Sequence, residues 1–229
     1  LNAAWAATLY YMERALLAGQ RSAWLGMGIA FGLGLLSKYT LGLLGIAALA
    51  FVIMDSIARQ WMKHPHPYLA ALLALLLFSP VVIWNYQHDW ASFAFQSTRV
   101  LADNDQCGIH VLIFHMLILL TPVGFIAALM ALFARHYQHA DQQNNRRRRL
   151  FVQIFTGVPL VIFFATSAFD APRFHWTGPL WLALLPTLAW MMGQTEQIGN
   201  FARRVQAAWQ PTIISCVFVY AAVLHYMVL

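Results

Sequence analysis

Ser37-Lys38-Tyr39-Thr40 puts one cation and three hydroxyls at a single turn between two apolar runs. An ammonium with neighbouring hydroxyls suits a phosphate, because hydrogen bonds to an ionised group are the strong ones. Lys38 is also the only charged residue between Trp24 and Met54. A lysine costs roughly 2.5–3.5 kcal/mol at the centre of a membrane helix, so this one belongs at a membrane surface or in a polar cavity. A lysine at a helix end can also snorkel to lipid headgroups, and the neighbouring residues leave both readings open.

Two further clusters combine ionisable side chains with tryptophan. Pro80-Val-Val-Ile-Trp84-Asn85 leads into His88-Asp89-Trp90, and Asp170-Ala-Pro-Arg173-Phe-His175-Trp176 lies late in the chain. Interface anchoring alone would call only for the aromatics. The histidines invite a metal reading, most of all His64-Pro65-His66, but no zinc-type spacing occurs anywhere. His110 and His115 are five apart and share no helix face well. His136 and His139 sit in a basic loop and read as solvated side chains. No metal ligand set follows. There is no phosphate-cradling glycine loop and no nucleophile elbow. Gly26, Gly28, Gly32 and Gly34 read as sites of close helix packing.

The elements that must hold these groups are membrane helices. The chain is 61% hydrophobic and 10% charged, against about 45–50% apolar and about 25% charged in ordinary globular domains. A spanning helix needs about 20 mostly apolar residues. Stretches near 1–12, 22–37, 40–55, 67–84, 109–134, 151–169, 177–192 and 211–228 qualify, the first being short. The expectation is a single all-α, polytopic transmembrane domain over 1–229, with about seven full transmembrane helices plus a partial first one. Residues 88–101 place Trp90, Phe93, Ser97 and Val100 on one rough helical face, so this segment is either an interfacial helix or an ordinary loop with aromatic anchors. Cys107 and Cys216 are far apart and imply no disulfide framework. The chain starts at Leu1 without a signal-like leader and reads as a piece of a longer one.

Charge sorts the connecting segments. Segments 13–21, 56–66, 135–150 and 193–210 hold Arg14, Arg21, Arg59, Lys63, Arg135, Arg146, Arg147, Arg148, Arg149, Arg203 and Arg204. The alternating set holds only Lys38, Arg99 and Arg173. The positive-inside rule makes the first set cytoplasmic, and every helix then crosses in turn. Position accounts for the Arg146–Arg149 run as a topology determinant in preference to a nucleic-acid or lipid site. No nucleic-acid partner is expected. Lys38 and both tryptophan clusters fall on the outer side.

GLGLLSKYTLGLL, then PYLAALLALLLFSPVVIWNYQHDWASFAFQSTR, then a late outer HW before another helix resemble bacterial glycosyltransferase family 39 proteins. These are relatives of the dolichyl-phosphate-mannose–protein mannosyltransferases and the lipid A aminoarabinose transferases. The resemblance runs from about Trp24 to Trp190. It implies a type-C glycosyltransferase fold in the bacterial inner membrane, with the active side periplasmic. Sugar would pass from a polyprenyl-phosphate donor to a lipid, glycan or protein acceptor. By resemblance, Lys38 with Tyr39 would contact the donor phosphate, aided by Arg99 or Arg173. Asn85, His88, Asp89, Trp90, His175 and Trp176 would line the outer cavity. No cofactor is certain, and divalent-metal dependence stays open. The family's catalytic Asp or Glu lies on a first outer loop upstream of this chain, so the fragment is expected to be inactive alone. The late loop reads HWTGP where many relatives have proline directly after HW. A transporter or flippase of lipid-linked sugars, or a non-catalytic membrane subunit, would fit the same composition.

Overall fold

The computed structural model describes residues 1–95, 108–133, 142–169, 172, 176–193 and 200–228. Every regular element among them is helical. In chain order these are α1 (Asn2–Leu16), α2 (Ala23–Ser37), α3 (Gly42–Met54), α4 (His66–Gln87), α5 (Ile109–Phe133), α6 (Gln142–Ser167), α7 (Leu185–Gly193) and α8 (Asn200–Val228). Short 3-10 turns Tyr39–Leu41, Ala58–Lys63 and Pro179–Leu184 precede α3, α4 and α7. The protein is an all-α, polytopic membrane protein.

By length and composition α4, α5, α6 and α8 can each cross a membrane. Ala23–Ser37, Tyr39–Met54 and Pro179–Met191 are shorter apolar helices. Three of the seven expected full spans are therefore short. The cause at α2 is Lys38, whose extended backbone (φ −163°, ψ 131°) ends the helix after 15 residues, about 22 Å of rise against a hydrocarbon core of about 30 Å. With α2 untilted and starting at one membrane face, the Lys38 turn falls short of the other. The solvent of this bundle is lipid: on α8, Val217, Phe218, Val219 and Tyr220 are all exposed in succession, the mark of a helix apolar all round.

Small residues bring α2 against α4. A Cβ on Gly28 would lie 2.6 Å from the Ala70 carbonyl oxygen, and one on Gly32 would lie 3.0 Å from that of Ala74. Gly26 meets the Tyr11 ring of α1 and Gly34 the Leu41 side chain, so all four glycines serve packing, as the sequence suggested. Without a hydrophobic driving force between helices in lipid, such close approach supplies the van der Waals contact that holds them. The deepest aromatic core joins α3 and α6. Phe151 stacks on Phe155 at 4.2 Å, and Phe51 meets both rings.

The prolines inside α4 and α5 have different outcomes. Pro80 of α4 has no N–H for the Leu76 carbonyl, and the Ser79 hydroxyl donates to that oxygen at 2.7 Å instead. The helix runs on to Gln87. In α5, Thr121 takes φ 62°, ψ 158° before Pro122 and splits the helix in two. A non-glycine residue there costs about 1–3 kcal/mol. The Thr121 hydroxyl accepts the Gly124 N–H at 3.2 Å, so Thr121 caps the second half and Pro122 occupies its first position.

At the opposite end of the bundle from the Lys38 turn, Arg147 of α6 reaches into the protein. Its Nε donates to Asp55 at 2.8 Å, Nη2 to the Leu16 carbonyl at 2.6 Å and Nη1 to that of Leu17 at 3.3 Å. Asp55 also accepts the Ile57 and Ala58 N–H groups at 3.4 and 3.3 Å. Sequence position read the whole arginine run as a topology signal. Arg147 is also a clasp, its side chain 12% exposed against 7% for Asp55. It ties the end of α1, the turn after α3 and the first turns of α6 together at one end.

Candidate functional site at the Lys38 turn

The depth of Lys38 follows from helix register. Gly28 faces Ala70 and Gly32 faces Ala74, so the parallel α2 and α4 keep a constant offset that sets Lys38 level with Pro80. The edge-on contact of Tyr39 with Phe78, centroids 5.9 Å apart, agrees with this. From Pro80, α4 continues seven residues to Gln87, about 10 Å of further rise. Lys38 therefore sits below an overhang made by the end of α4 and the residues that follow it.

Asn85 organises that overhang. It is wholly buried. Its Nδ2 donates to the Val81 carbonyl at 2.9 Å, and its Oδ1 accepts both the Ser92 N–H at 3.1 Å and the Ser92 hydroxyl at 2.6 Å. The backbone donor on Ser92 fixes which side-chain atom of Asn85 is oxygen. The Asn85 carbonyl takes the His88 and Trp90 N–H groups at 3.1 and 2.8 Å. This holds Asp89 (φ 51°) and Trp90 (φ 57°) in consecutive left-handed conformations, each costing about 1–2 kcal/mol for a non-glycine residue.

Tyr39 ties the SKYT turn to the same knot. Its hydroxyl lies 3.0 Å from the Ser92 Oγ. Ser92 has already given its one proton to Asn85, so Tyr39 must be the donor here. The Tyr39 ring stacks on Phe93 at 5.3 Å and 17°. Two sequence expectations change on this geometry. Tyr39 has no hydroxyl proton left for a donor phosphate and acts as a positioning residue. Asn85, fully enclosed, cannot line an outer cavity and instead shapes one. Ser92 escaped sequence reasoning because a serine in a polar-aromatic stretch carries no signal until its partner is known.

The other expected site residues divide. His88, Asp89 and Trp90 are exposed on the overhang. His88 stacks on Trp84 at 4.2 Å while its Nδ1 lies 2.8 Å from the Trp84 carbonyl. Trp176 is half-buried and packs on Phe163 of α6 at 6.0 Å, on a different part of the bundle. Arg99, Arg173 and His175 lie outside the described residues, as does the part of the 88–101 segment beyond Phe95, of which 91–95 is helical. Among the described residues no hydrogen bond or ion pair engages the Lys38 ammonium. Its half-buried position strips water from the charge and pulls its pKa below the ordinary lysine range. A partly buried cation with no hydrogen bond or ion pair among the described residues is free to take an anion. No group of three or more His, Cys, Asp or Glu is placed to hold a metal among the described residues.

Asn85→Ala is expected to lower stability by about 1–3 kcal/mol through the buried groups it leaves unpaired, and to free the 88–95 turn for proteolysis. Tyr39→Phe, which removes one shared hydroxyl, should cost about 0.5–1.5 kcal/mol. Thermal unfolding with limited proteolysis checks the order; a larger loss from Tyr39→Phe would contradict the assignment of Asn85 as the organiser.

The family model of dolichyl-phosphate-mannose-protein mannosyltransferases matches residues 1–84. Over that stretch the chain is similar to this family. The lipopolysaccharide core galacturonosyltransferase RgtA of Rhizobium johnstonii is 26% identical over 223 residues, covering 92% of this chain and 44% of that protein. The chain thus spans less than half the length of the curated relative it matches. No solved structure matches it. The matched region contains Lys38 and Tyr39 and stops immediately before Asn85. The residues from Asn85 onward lie beyond that match and within the similarity to RgtA.

Proposed function

We propose that the chain forms the helical core of a membrane glycosyltransferase that takes sugar from a polyprenyl-phosphate donor at the periplasmic face of a bacterial inner membrane. The observation that carries the reading is the unpaired Lys38 ammonium, recessed under the α4 overhang. As the glycosidic bond breaks, negative charge grows on the departing phosphate. A fixed cation in a water-poor recess stabilises that charge more than it does the esterified ground state. Arg99 and Arg173 would add positive charge, while His88, Asp89, Trp90 and His175 would face the sugar and acceptor. Tyr39, Asn85 and Ser92 hold the frame. The likeness to RgtA favours a lipopolysaccharide-type acceptor.

The direct test supplies the intact protein in membranes with a polyprenyl-phosphate sugar and a lipopolysaccharide acceptor. Free polyprenyl phosphate and glycosylated acceptor are the expected products. Release of nucleoside diphosphate from a nucleotide sugar, with the lipid donor left intact, would sink the donor assignment. One feature favours a second reading, a flippase of lipid-linked sugars: α5 is broken at Thr121, and transporters build sites on broken helices. Movement of the lipid-linked sugar across the bilayer without bond cleavage would identify that activity. Sidedness has its own check. Reporter fusions at Gln142 are expected to report cytoplasm and at Asn104 periplasm, and the reverse pattern would invert the topology.

A further inference from the structure

At the arginine-rich end of the bundle, opposite the Lys38 turn, a cavity of about 490 Å³ opens between α1, α6 and the Pro179–Leu184 turn with α7. Its walls are apolar, with Val152 and Leu182 among them, and Tyr10 and Trp190 also line it. Two charged side chains reach it, Glu13 and Arg148. They do not pair with each other, since Asp55–Arg147 is the one ion pair among the described residues. The Arg148 Nε is buried without a hydrogen-bond partner. A guanidinium nitrogen out of water with no acceptor is costly, so the site is incomplete as it stands.

The arginine run explains how this charge is set apart. Successive residues on a helix point about 100° apart, so neighbours in the run face different surroundings. Arg146 is exposed, Arg147 turns inward to the Asp55 clasp and Arg148 faces the cavity. On the other side, the Arg14 guanidinium lies over the Tyr10 ring at 5.3 Å, which places a cation–π contact beside the cavity lining.

We propose that this cavity binds a phosphatidylethanolamine-type lipid of the cytoplasmic leaflet. An acyl chain fills the apolar wall, the phosphate accepts from Arg148, and the ammonium of the headgroup donates to Glu13. A purely anionic lipid would satisfy Arg148 but bring its charge towards the Glu13 carboxylate. A zwitterionic aminophospholipid satisfies both, and this charge complementarity selects it. The site is distinct from the Lys38 recess and does not depend on what that recess binds.

Native mass spectrometry of the intact protein in a mild detergent, with phosphatidylethanolamine or phosphatidylglycerol added, tests the proposal. One phosphatidylethanolamine should be retained about tenfold more tightly than phosphatidylglycerol. Arg148→Ala should weaken retention of both lipids by about tenfold. Glu13→Gln should abolish the preference while leaving phosphatidylglycerol bound. Ala6→Phe, at an exposed position lining the cavity, fills space without touching either charge and should also displace the lipid. Thermal unfolding of each variant in the same detergent separates lost lipid from lost fold. Equal retention of the two lipids by the wild type, no retained lipid at all, or undiminished retention in the folded Arg148→Ala and Ala6→Phe variants would each overturn the proposal.

Discussion

Replacing Lys38 by alanine is expected to reduce sugar transfer by the intact protein about 100- to 1,000-fold, the loss seen when one group stabilising a developing oxyanion is removed. Expression and thermal stability should be little changed, because the ammonium makes no hydrogen bond or ion pair among the described residues. The pH profile carries a second signature. Burial lowers the Lys38 pKa, so the free enzyme loses its cation at a pH below that of an ordinary lysine. The alkaline limb of kcat/KM should therefore fall early. A bound phosphate favours the charged form, so the corresponding limb of kcat, which reports the enzyme–substrate complex, should lie at higher pH. Lys38→Arg keeps a charge that does not titrate. It should retain part of the activity and lose the alkaline limb. Near-normal transfer by Lys38→Ala, or an unchanged alkaline limb in Lys38→Arg, would remove Lys38 from the phosphate site.

Arg147→Ala should destabilise the bundle by about 3–5 kcal/mol, because it leaves the Asp55 carboxylate buried without its counter-charge. It also strands the Leu16 and Leu17 carbonyls that Arg147 now serves. Arg146→Ala, one position away and exposed, should change stability by less than about 0.5 kcal/mol. Unfolding of both variants in the same lipid or detergent makes the comparison. A double-mutant cycle with Asp55→Ala isolates the pair, and a coupling of about 1 kcal/mol or less would mean that the two residues do not act as a unit. The contrast between adjacent arginines is the informative part, since a simple topology signal would weigh them alike.

Much of this organisation was legible in the residues, and what was not has a common cause. The Gly26, Gly28, Gly32 and Gly34 spacing read as packing, and each glycine does meet a neighbouring side chain or backbone. The bounds of α2 and α3 were legible as 22–37 and 40–55, but helices of 15 and 13 residues are too short to count as full untilted spans. Asn85 resembled a cavity residue because it stands beside His88-Asp89-Trp90, yet its amide faces inward to Val81 and Ser92. Asp55 attracted no attention at all, being one acidic residue at a helix end. Its partner lies 92 positions away.

The sequence by itself determined the solvent of this protein, its helical class, the order of its elements and which connecting segments carry the positive charge. Those properties are sums over local windows, and lipid imposes helices on any apolar run long enough to enter it. Tertiary structure alone decided how deep Lys38 lies, that the Tyr39 proton is spent on Ser92, and how three adjacent arginines divide among solvent, clasp and cavity. Each depends on which surface meets which across the bundle. Tyr39 and Ser92 are 53 residues apart, and a hydroxyl becomes a strut or a ligand only when its partner is in place.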